Sequence, residues 1–174
     1  MTNRNCPKRA PRYIVTIVAL VLAFATLPRA VFSQAATGTS AVKIGIIGSG
    51  NMGSTLGTLW VKSGHPVLFS SRHPEQLTKL AESLGPLARA GTVREALAFG
   101  DVVLIAVPYG AYPQIGKDYA REFIGKIVID AGNAVLARDG EITKEAREKG
   151  IGITSAKYLA GARIVRAFNT LNYR

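Results

Sequence analysis

Cysteine, histidine and acidic residues are all scarce in this chain. The single cysteine, Cys6, excludes an internal disulfide framework and a cysteine-based metal site. Two histidines, His65 and His73, leave little material for a histidine metal centre or a His-based triad. No repeat at solenoid spacing and no low-complexity linker divides the sequence. Charged residues make up only 19%, while the hydrophobic fraction is 48%, so intrinsic disorder is excluded for most of the chain. Acids number 11 against 22 Lys and Arg, a formal net charge of +11. Taken alone, that excess suggests a nucleic-acid or membrane-surface partner. The length, 174 residues, suits one ordinary domain with its own core and is short for two.

The charge excess is unevenly placed. Arg4, Lys8, Arg9 and Arg12 precede an uncharged apolar run of fifteen, Tyr13 to Leu27. Small residues follow, with Ser33-Gln34-Ala35 as a cleavage site. Basic, apolar and small-residue regions in that order predict a secretory signal peptide over residues 1–35 and an exported, periplasmic or secreted protein. The run falls short of the roughly 20 residues a membrane-spanning helix needs. An uncleaved membrane anchor is the alternative. No cysteine follows the run for lipoprotein processing, and no Arg-Arg pair marks twin-arginine export. Without residues 1–35, which hold five basic residues and no acid, the net charge falls to +6. Those charges are scattered, without the basic cluster and interleaved aromatics of a nucleic-acid platform. An enzyme that holds an anionic ligand fits better than a nucleic-acid binder.

From Ala41 onward, strand and helix patterns alternate. Val42–Ile47, His65–Ser70, Leu87–Ala90, Asp101–Val107, Lys126–Ala131 and Arg163–Phe168 read as six strands. Met52, Leu56, Leu59 and Trp60 recur at helical spacing, and Gly64 ends that helix. Further helices are predicted over Pro74–Leu84, Thr92–Phe99, Tyr112–Phe123 and Glu141–Lys149, with Thr92 and Glu95 as a capping box. Arg138-Asp139-Gly140 reads as a turn, and Ser155–Leu159 as one helical turn. The pattern predicts an α/β, Rossmann-type, doubly wound parallel sheet in three layers, spanning residues 36–174.

Between the first strand and helix stands Gly48-Ser49-Gly50-Asn51-Met52-Gly53, a G-x-G-x-x-G match in the strand–turn–helix context of the dinucleotide fingerprint. Gly48 permits the tight turn, Gly50 lets the backbone approach a pyrophosphate, and Gly53 lets helix and strand pack closely. The helix N-terminus offers N–H groups and partial positive charge to phosphates. An NAD site usually places an acid at the end of the second strand. This chain has Ser70-Ser71-Arg72-His73 there, twenty-two residues after Gly50 at Arg72. Arg72 can grip a 2′-phosphate bidentately, and Ser71 can donate a hydroxyl, so the pattern favours NADP over NAD. His73 reads as a loop residue or a weak phosphate partner rather than a catalytic group.

The other strand ends supply Val107, Pro108 and Tyr109, then Asn133, then Ala167 and Asn169. Val107 and Pro108 could pack on the adenosine-ribose or nicotinamide side of the cofactor. Each Asn reads equally as a hydrogen-bonding group for a carboxamide or ribose, or as a turn or cap residue. Tyr109 reads equally as a stacking or donating group and as a rim aromatic. No catalytic acid/base pair and no metal-ligand set stands out.

The pieces KIGIIGSGNMG, FSSRHPE, DVVLIAVP, KIVIDAGN and RIVRAFNTL, in this order, make Lys43–Thr170 resemble the NADP-binding domain of the coenzyme F-420-dependent NADP oxidoreductases. The same domain type resembles the reductase module of the six-transmembrane metalloreductases. The glycine loop also resembles pyrroline-5-carboxylate reductases, which the FSSR and RAFNTL pieces fit less well. The resemblance implies hydride transfer between NADP(H) and a deazaflavin or flavin-type acceptor, with no side chain needed to move a proton. It implies that Ser49, Gly50, Asn51 and Met52 hold the phosphates and that Ser71 and Arg72 hold the 2′-phosphate. The nicotinamide side falls near Pro108, Asn133 and Ala167 to Asn169. Family members continue past the AFNT-like piece into a part that shapes the second-substrate pocket and a homodimer. That part is expected to be absent here, so a non-catalytic NADP(H)-binding module completed by another chain is one alternative function, and a pyrroline-5-carboxylate reductase-like enzyme is the other.

Overall fold

The computed structural model describes residues 40–170. The expected signal peptide therefore lies outside the described residues. Six four-residue strands form one sheet: β1 (Ile44–Ile47), β2 (Val67–Ser70), β3 (Ala88–Gly91), β4 (Val102–Ile105), β5 (Ile127–Asp130) and β6 (Arg163–Arg166). Their order is β3-β2-β1-β4-β5-β6, and every neighbouring pair is parallel. This is the doubly wound topology the pattern predicts. The order reverses between β1 and β4, the switch point at whose carboxyl end doubly wound sheets form their ligand crevice.

Register places Gly91, Ser70, Ile47, Ile105, Asp130 and Arg166 in one row along that carboxyl edge. All four residues of β1 and of β2 are buried, as strands covered on both faces must be. Successive side chains alternate between two cores. Ile44, Ile46, Phe69 and Leu104 pack under Met52, Leu56, Trp60, Leu80 and Ala81 of α1 (Asn51–Lys62) and α2 (Thr78–Leu84). On the opposite face, Ile47, Val103, Ile105 and Val128 meet side chains of α3 (Val93–Phe99), α4 (Tyr112–Asp118), α6 (Ile142–Lys149) and α7 (Ile151–Tyr158). Each large aliphatic or aromatic side chain buried this way contributes about 1.5–3 kcal/mol.

Several boundaries differ from the sequence expectation. The helix at Pro74 opens as a 3-10 turn, Pro74–Leu77, before becoming α2. The helix from Tyr112 stops at Asp118, and successive turns carry the chain to Phe123. Those turns repeat at nearly helical spacing and keep Phe123 buried, so periodicity could not tell them apart from helix. Arg138-Asp139-Gly140 is not a plain turn. Leu136–Asp139 form a one-turn helix, α5, and only Gly140, at φ 64°, leaves it. The helical turn at Ser155 is a two-turn helix, α7, that starts at Ile151. Gly150 and Gly152 weaken the local preference for helix, but packing of α7 against α4 overrides it. The predicted capping box is present: the Thr92 hydroxyl accepts from the Glu95 N–H, and the Glu95 carboxylate accepts from the Thr92 N–H at 2.7 Å.

Candidate functional site

The glycine turn takes its expected geometry at Gly48 and Gly53. Gly48 sits at φ 95°, a backbone that favours glycine, and a Cβ there would strike Val107 and the Ala106 carbonyl. A Cβ on Gly53 would collide with the Gly48 carbonyl oxygen, so α1 can start this close to the turn only without one. Gly50 differs: a Cβ there would meet nothing within 4 Å. The protein leaves space on this side of the loop.

The turn is tied to β2. The carbonyl of Ser70 accepts from the N–H groups of Gly48 at 3.2 Å and Ser49 at 3.1 Å, and from the Ser49 hydroxyl at 3.1 Å. The Ser70 side chain is fully buried and donates to the Ile46 carbonyl, so Ser70 serves the turn through its backbone and sends no side chain into the cleft. Asn51 is exposed, and Met52 is half-buried against the core under α1. The N-terminus of α1 carries no side-chain cap and no acid in its first turn. A twelve-residue helix thus points an uncapped positive dipole end into the crevice.

Beyond β2, the Ser71 hydroxyl accepts from the His73 N–H at 3.0 Å, which shapes the loop. Arg72 is exposed and makes no ion pair with any described residue. His73 lies 3.5 Å from Glu75, both at the surface. The end of β2 therefore offers an arginine, the Ser71 hydroxyl and no acid. Open space at Gly50, an uncapped helix end and this acid-free loop together fit a dinucleotide that carries an extra phosphate.

The far side of the crevice is built from the ends of β4, β5 and β6. Val107 packs on the glycine turn, and Pro108 is exposed beside it. Tyr109 corrects the expectation of a rim or stacking aromatic. It is fully buried, 4.5 Å from the Tyr112 ring, and its hydroxyl lies 3.1 Å from the Ile151 carbonyl and 3.0 Å from the Ser155 hydroxyl. Burial raises its pKa. The core claims this ring because the one-turn 3-10 segment after Pro108 swings it under the sheet edge.

Asn133 and Asn169 are brought together. The Asn133 amide donates to the Asn169 carbonyl at 2.7 Å, and the Asn169 amide donates to the carbonyls of Asp130 and Gly132, each at 3.1 Å. The Ala167 N–H donates to the Asp130 carbonyl at 3.2 Å. Between Ala167 and Asn169, Phe168 holds φ 64°, the one positive φ at a non-glycine among the described residues. Such a backbone costs about 1–2 kcal/mol. Its edge-on ring contact with Trp60, centroids 6.2 Å apart, helps hold it.

Two polar centres near this side escaped the sequence reading. One is Asp130, the buried last residue of β5, ringed by Tyr112, Ser155 and Arg166. Burial and the neighbouring Asp130 carboxylate push the Tyr112 phenol far up, so it stays a hydroxyl donor. The signal available was an acid closing an otherwise apolar strand, IVID. The other is Asp139, which accepts from the N–H groups of Val135 at 2.8 Å and Gly110 at 3.0 Å and from Arg138 at 2.8 and 2.9 Å. Burial works to raise its pKa, but the Arg138 guanidinium and the two backbone donors outweigh it and hold the carboxyl at about 2. Arg138 also reaches the Asn133 carbonyl at 2.7 Å, linking both loops.

Residues 43–134 match the family described as NADP oxidoreductase, coenzyme F-420-dependent. The metalloreductase STEAP3 of Rattus norvegicus is 30% identical over 136 residues, covering 76% of this chain and 25% of that protein. A solved structure of a hypothetical protein from Sinorhizobium meliloti is similar at TM-score 0.59 and 32% identity, covering 76% of this chain and 63% of that one. An imine reductase of Myxococcus stipitatus in complex with NADP+ is similar at TM-score 0.53 and 26% identity, covering 72% of this chain and 39% of its own. This chain thus spans a quarter of the length of the metalloreductase and under two thirds of the Sinorhizobium protein.

Proposed function

Because the chain belongs to the family of coenzyme F-420-dependent NADP oxidoreductases, we propose that it binds NADP(H) across the β1/β4 crevice and passes hydride between that cofactor and a deazaflavin or flavin-type acceptor. The observation that carries the reading is Arg72: an arginine without an ion-pair partner among the described residues, at an acid-free strand end beside the glycine turn. The relative solved with NADP+ supports the cofactor choice.

Bound NADPH would supply a hydride from its dihydronicotinamide ring. The residues of this chain hold and orient. Backbone N–H groups from Gly50 to Gly53 and the dipole of α1 receive the pyrophosphate. Ser71 and Arg72 take the 2′-phosphate, where an acid would repel it. Val107, Pro108 and the Asn133–Asn169 clasp line the half of the crevice beyond the turn. Hydride transfer between two flat rings needs alignment and exclusion of water more than proton transfer, which suits a site without an acid/base pair.

Titration of the full chain with NADPH and NADH tests the reading. NADPH is expected to bind the tighter, and Arg72→Ala should weaken NADPH at least about tenfold, the loss of a charge-assisted bidentate contact, while leaving NADH nearly unchanged. Unchanged affinity for both sinks the Arg72 assignment. Steady oxidation of NADPH by the purified chain with a flavin acceptor tests the hydride-transfer step itself; NADPH binding without turnover would leave a cofactor-binding module.

We propose further that residues 1–35 direct export, on the basic, apolar and small-residue order of that segment. A mature protein whose N-terminus is Ala36 by mass spectrometry supports this; recovery of the intact N-terminus rejects cleavage.

A further inference from the structure

We propose that Asp130 and Arg166 are positioning residues that fix the part of the crevice meant for the nicotinamide half of the cofactor. The inference rests on the NADP(H) reading above and deepens it.

Asp130 is wholly buried, and each of its carboxylate oxygens accepts two hydrogen bonds. Oδ1 takes the Tyr112 hydroxyl at 2.6 Å and the Gly132 N–H at 2.8 Å. Oδ2 takes the Ser155 hydroxyl at 2.7 Å and Arg166 Nη1 at 2.7 Å. A buried ion pair is a poor device for stability alone, because apolar side chains of similar volume usually do as well. The distribution of the donors points to another role. Tyr112 and Ser155 come from α4 and α7 and anchor the carboxylate to the body of the fold. Gly132 and Arg166 connect it to the loops at the carboxyl edge.

Those loops are gripped at one peptide unit after another. The N–H of Gly132 is held by Asp130, and its carbonyl accepts from Arg166 Nη2 at 2.9 Å and from the Asn169 amide at 3.1 Å. The Asn169 amide also reaches the Asp130 carbonyl, and Asn133 closes the ring onto the Asn169 carbonyl. A Cβ on Gly132 would strike the Tyr112 hydroxyl, so the cluster itself demands glycine there. Residues 131–133 and 167–169 are thereby locked to each other, with Phe168 held in its left-handed backbone between them. A dinucleotide lies extended across the switch point, one nucleotide on each half of the sheet. With its 2′-phosphate at Ser71 and Arg72, its other half falls on the β4–β6 side, against these loops. Asp130 and Arg166 touch no cofactor in this arrangement. They act through Gly132, Asn133 and Asn169.

The test compares NADPH with 2′,5′-ADP, which carries the 2′-phosphate and adenosine but no nicotinamide, on the full chain. Arg166→Lys keeps the charge beside Asp130 but loses the fork that also holds the Gly132 carbonyl. It is expected to weaken NADPH about tenfold, the loss of one hydrogen bond to a charged group, and to leave 2′,5′-ADP unchanged. Asp130→Asn, of the same size, carries the same expectation. Glu145→Gln, which weakens contacts with Lys149, Lys157 and Tyr158 outside this cluster, should lower the melting temperature and keep the wild-type affinity ratio. Equal weakening of both probes by Arg166→Lys, an unchanged ratio, or the same asymmetry in Glu145→Gln overturns the proposal. Should the charge variants fail to fold, amide exchange in the wild-type protein decides. NADPH, but not 2′,5′-ADP, should slow exchange at residues 131–133 and 167–169, and equal effects overturn the assignment. Wild-type protein that binds neither probe overturns the NADP(H) reading, and this inference with it; a wild type that binds both while the variants keep its ratio overturns this inference alone.

Discussion

Gly50 and Gly53 lie three residues apart in one loop, yet alanine at each should fail in a different way. At Gly53 the new methyl collides with the Gly48 carbonyl, so α1 must back away from β1. The expected cost is about 2–3 kcal/mol, as for other overpacked sites, read as a lower denaturation midpoint. At Gly50 the methyl meets no protein atom, and the backbone, at φ −73°, accepts any residue. Gly50→Ala should keep stability within about 1 kcal/mol, the difference between Gly and Ala at a helix N-cap, but lower NADPH affinity at least tenfold. Equal affinity in Gly50→Ala and wild type would show that nothing docks on that side. The fingerprint spacing made the turn at Gly48 and the close packing at Gly53 legible. Tyr109 was illegible, because a tyrosine after a strand-end proline can turn out to the cleft or in to the core, and only the position of α7, with the Ile151 carbonyl and Ser155 waiting, decides.

At the scale of single elements, capping chemistry could be read directly where it is local. Thr92 and Glu95 predict the start of α3, and Thr92→Ala should cost about 1 kcal/mol in urea unfolding. The one-turn helix α5 shows the opposite case. Leu136-Ala137-Arg138-Asp139 has too few residues to sustain a helix, since one turn fixes several torsions for a single hydrogen bond. It exists because the Asp139 carboxylate folds back onto the Val135 N–H and across to the Gly110 N–H in another loop. Its pH signature follows from the sign of the shift. The folded carboxyl titrates at about 2, below its ordinary value of 3.8, so its contribution is fully present above about pH 4 and is lost as pH falls toward 2. Asp139→Asn should therefore melt below wild type at neutral pH, with the two curves converging between pH 4 and pH 2. A constant gap across that range would show that Asp139 is not responsible.

For the whole molecule, ligand linkage gives the broadest check. A ligand that binds only the folded state, at a hundred times its Kd, stabilises it by about 2.7 kcal/mol, which is roughly 10 °C for a domain of this size. NADPH should raise the melting temperature by that order, and NADH at equal concentration by much less. No shift with either would sink the cofactor assignment. The sequence by itself determined the six parallel strands, their flanking helices and the glycine turn, because each depends on residues adjacent in the chain: apolar runs, helical spacing, a capping box and a three-glycine turn. It also determined the acid-free end of β2, which sets the expected preference for the extra phosphate. Only the tertiary structure decided what the far half of the crevice is made of. Asp130, Tyr112, Ser155 and Arg166 are scattered over more than fifty positions, and no local pattern says that one buried carboxylate will gather them. Asn133 and Asn169 join for the same reason: β5 and β6 lie side by side, and parallel pairing brings the ends of distant segments to one edge of the sheet.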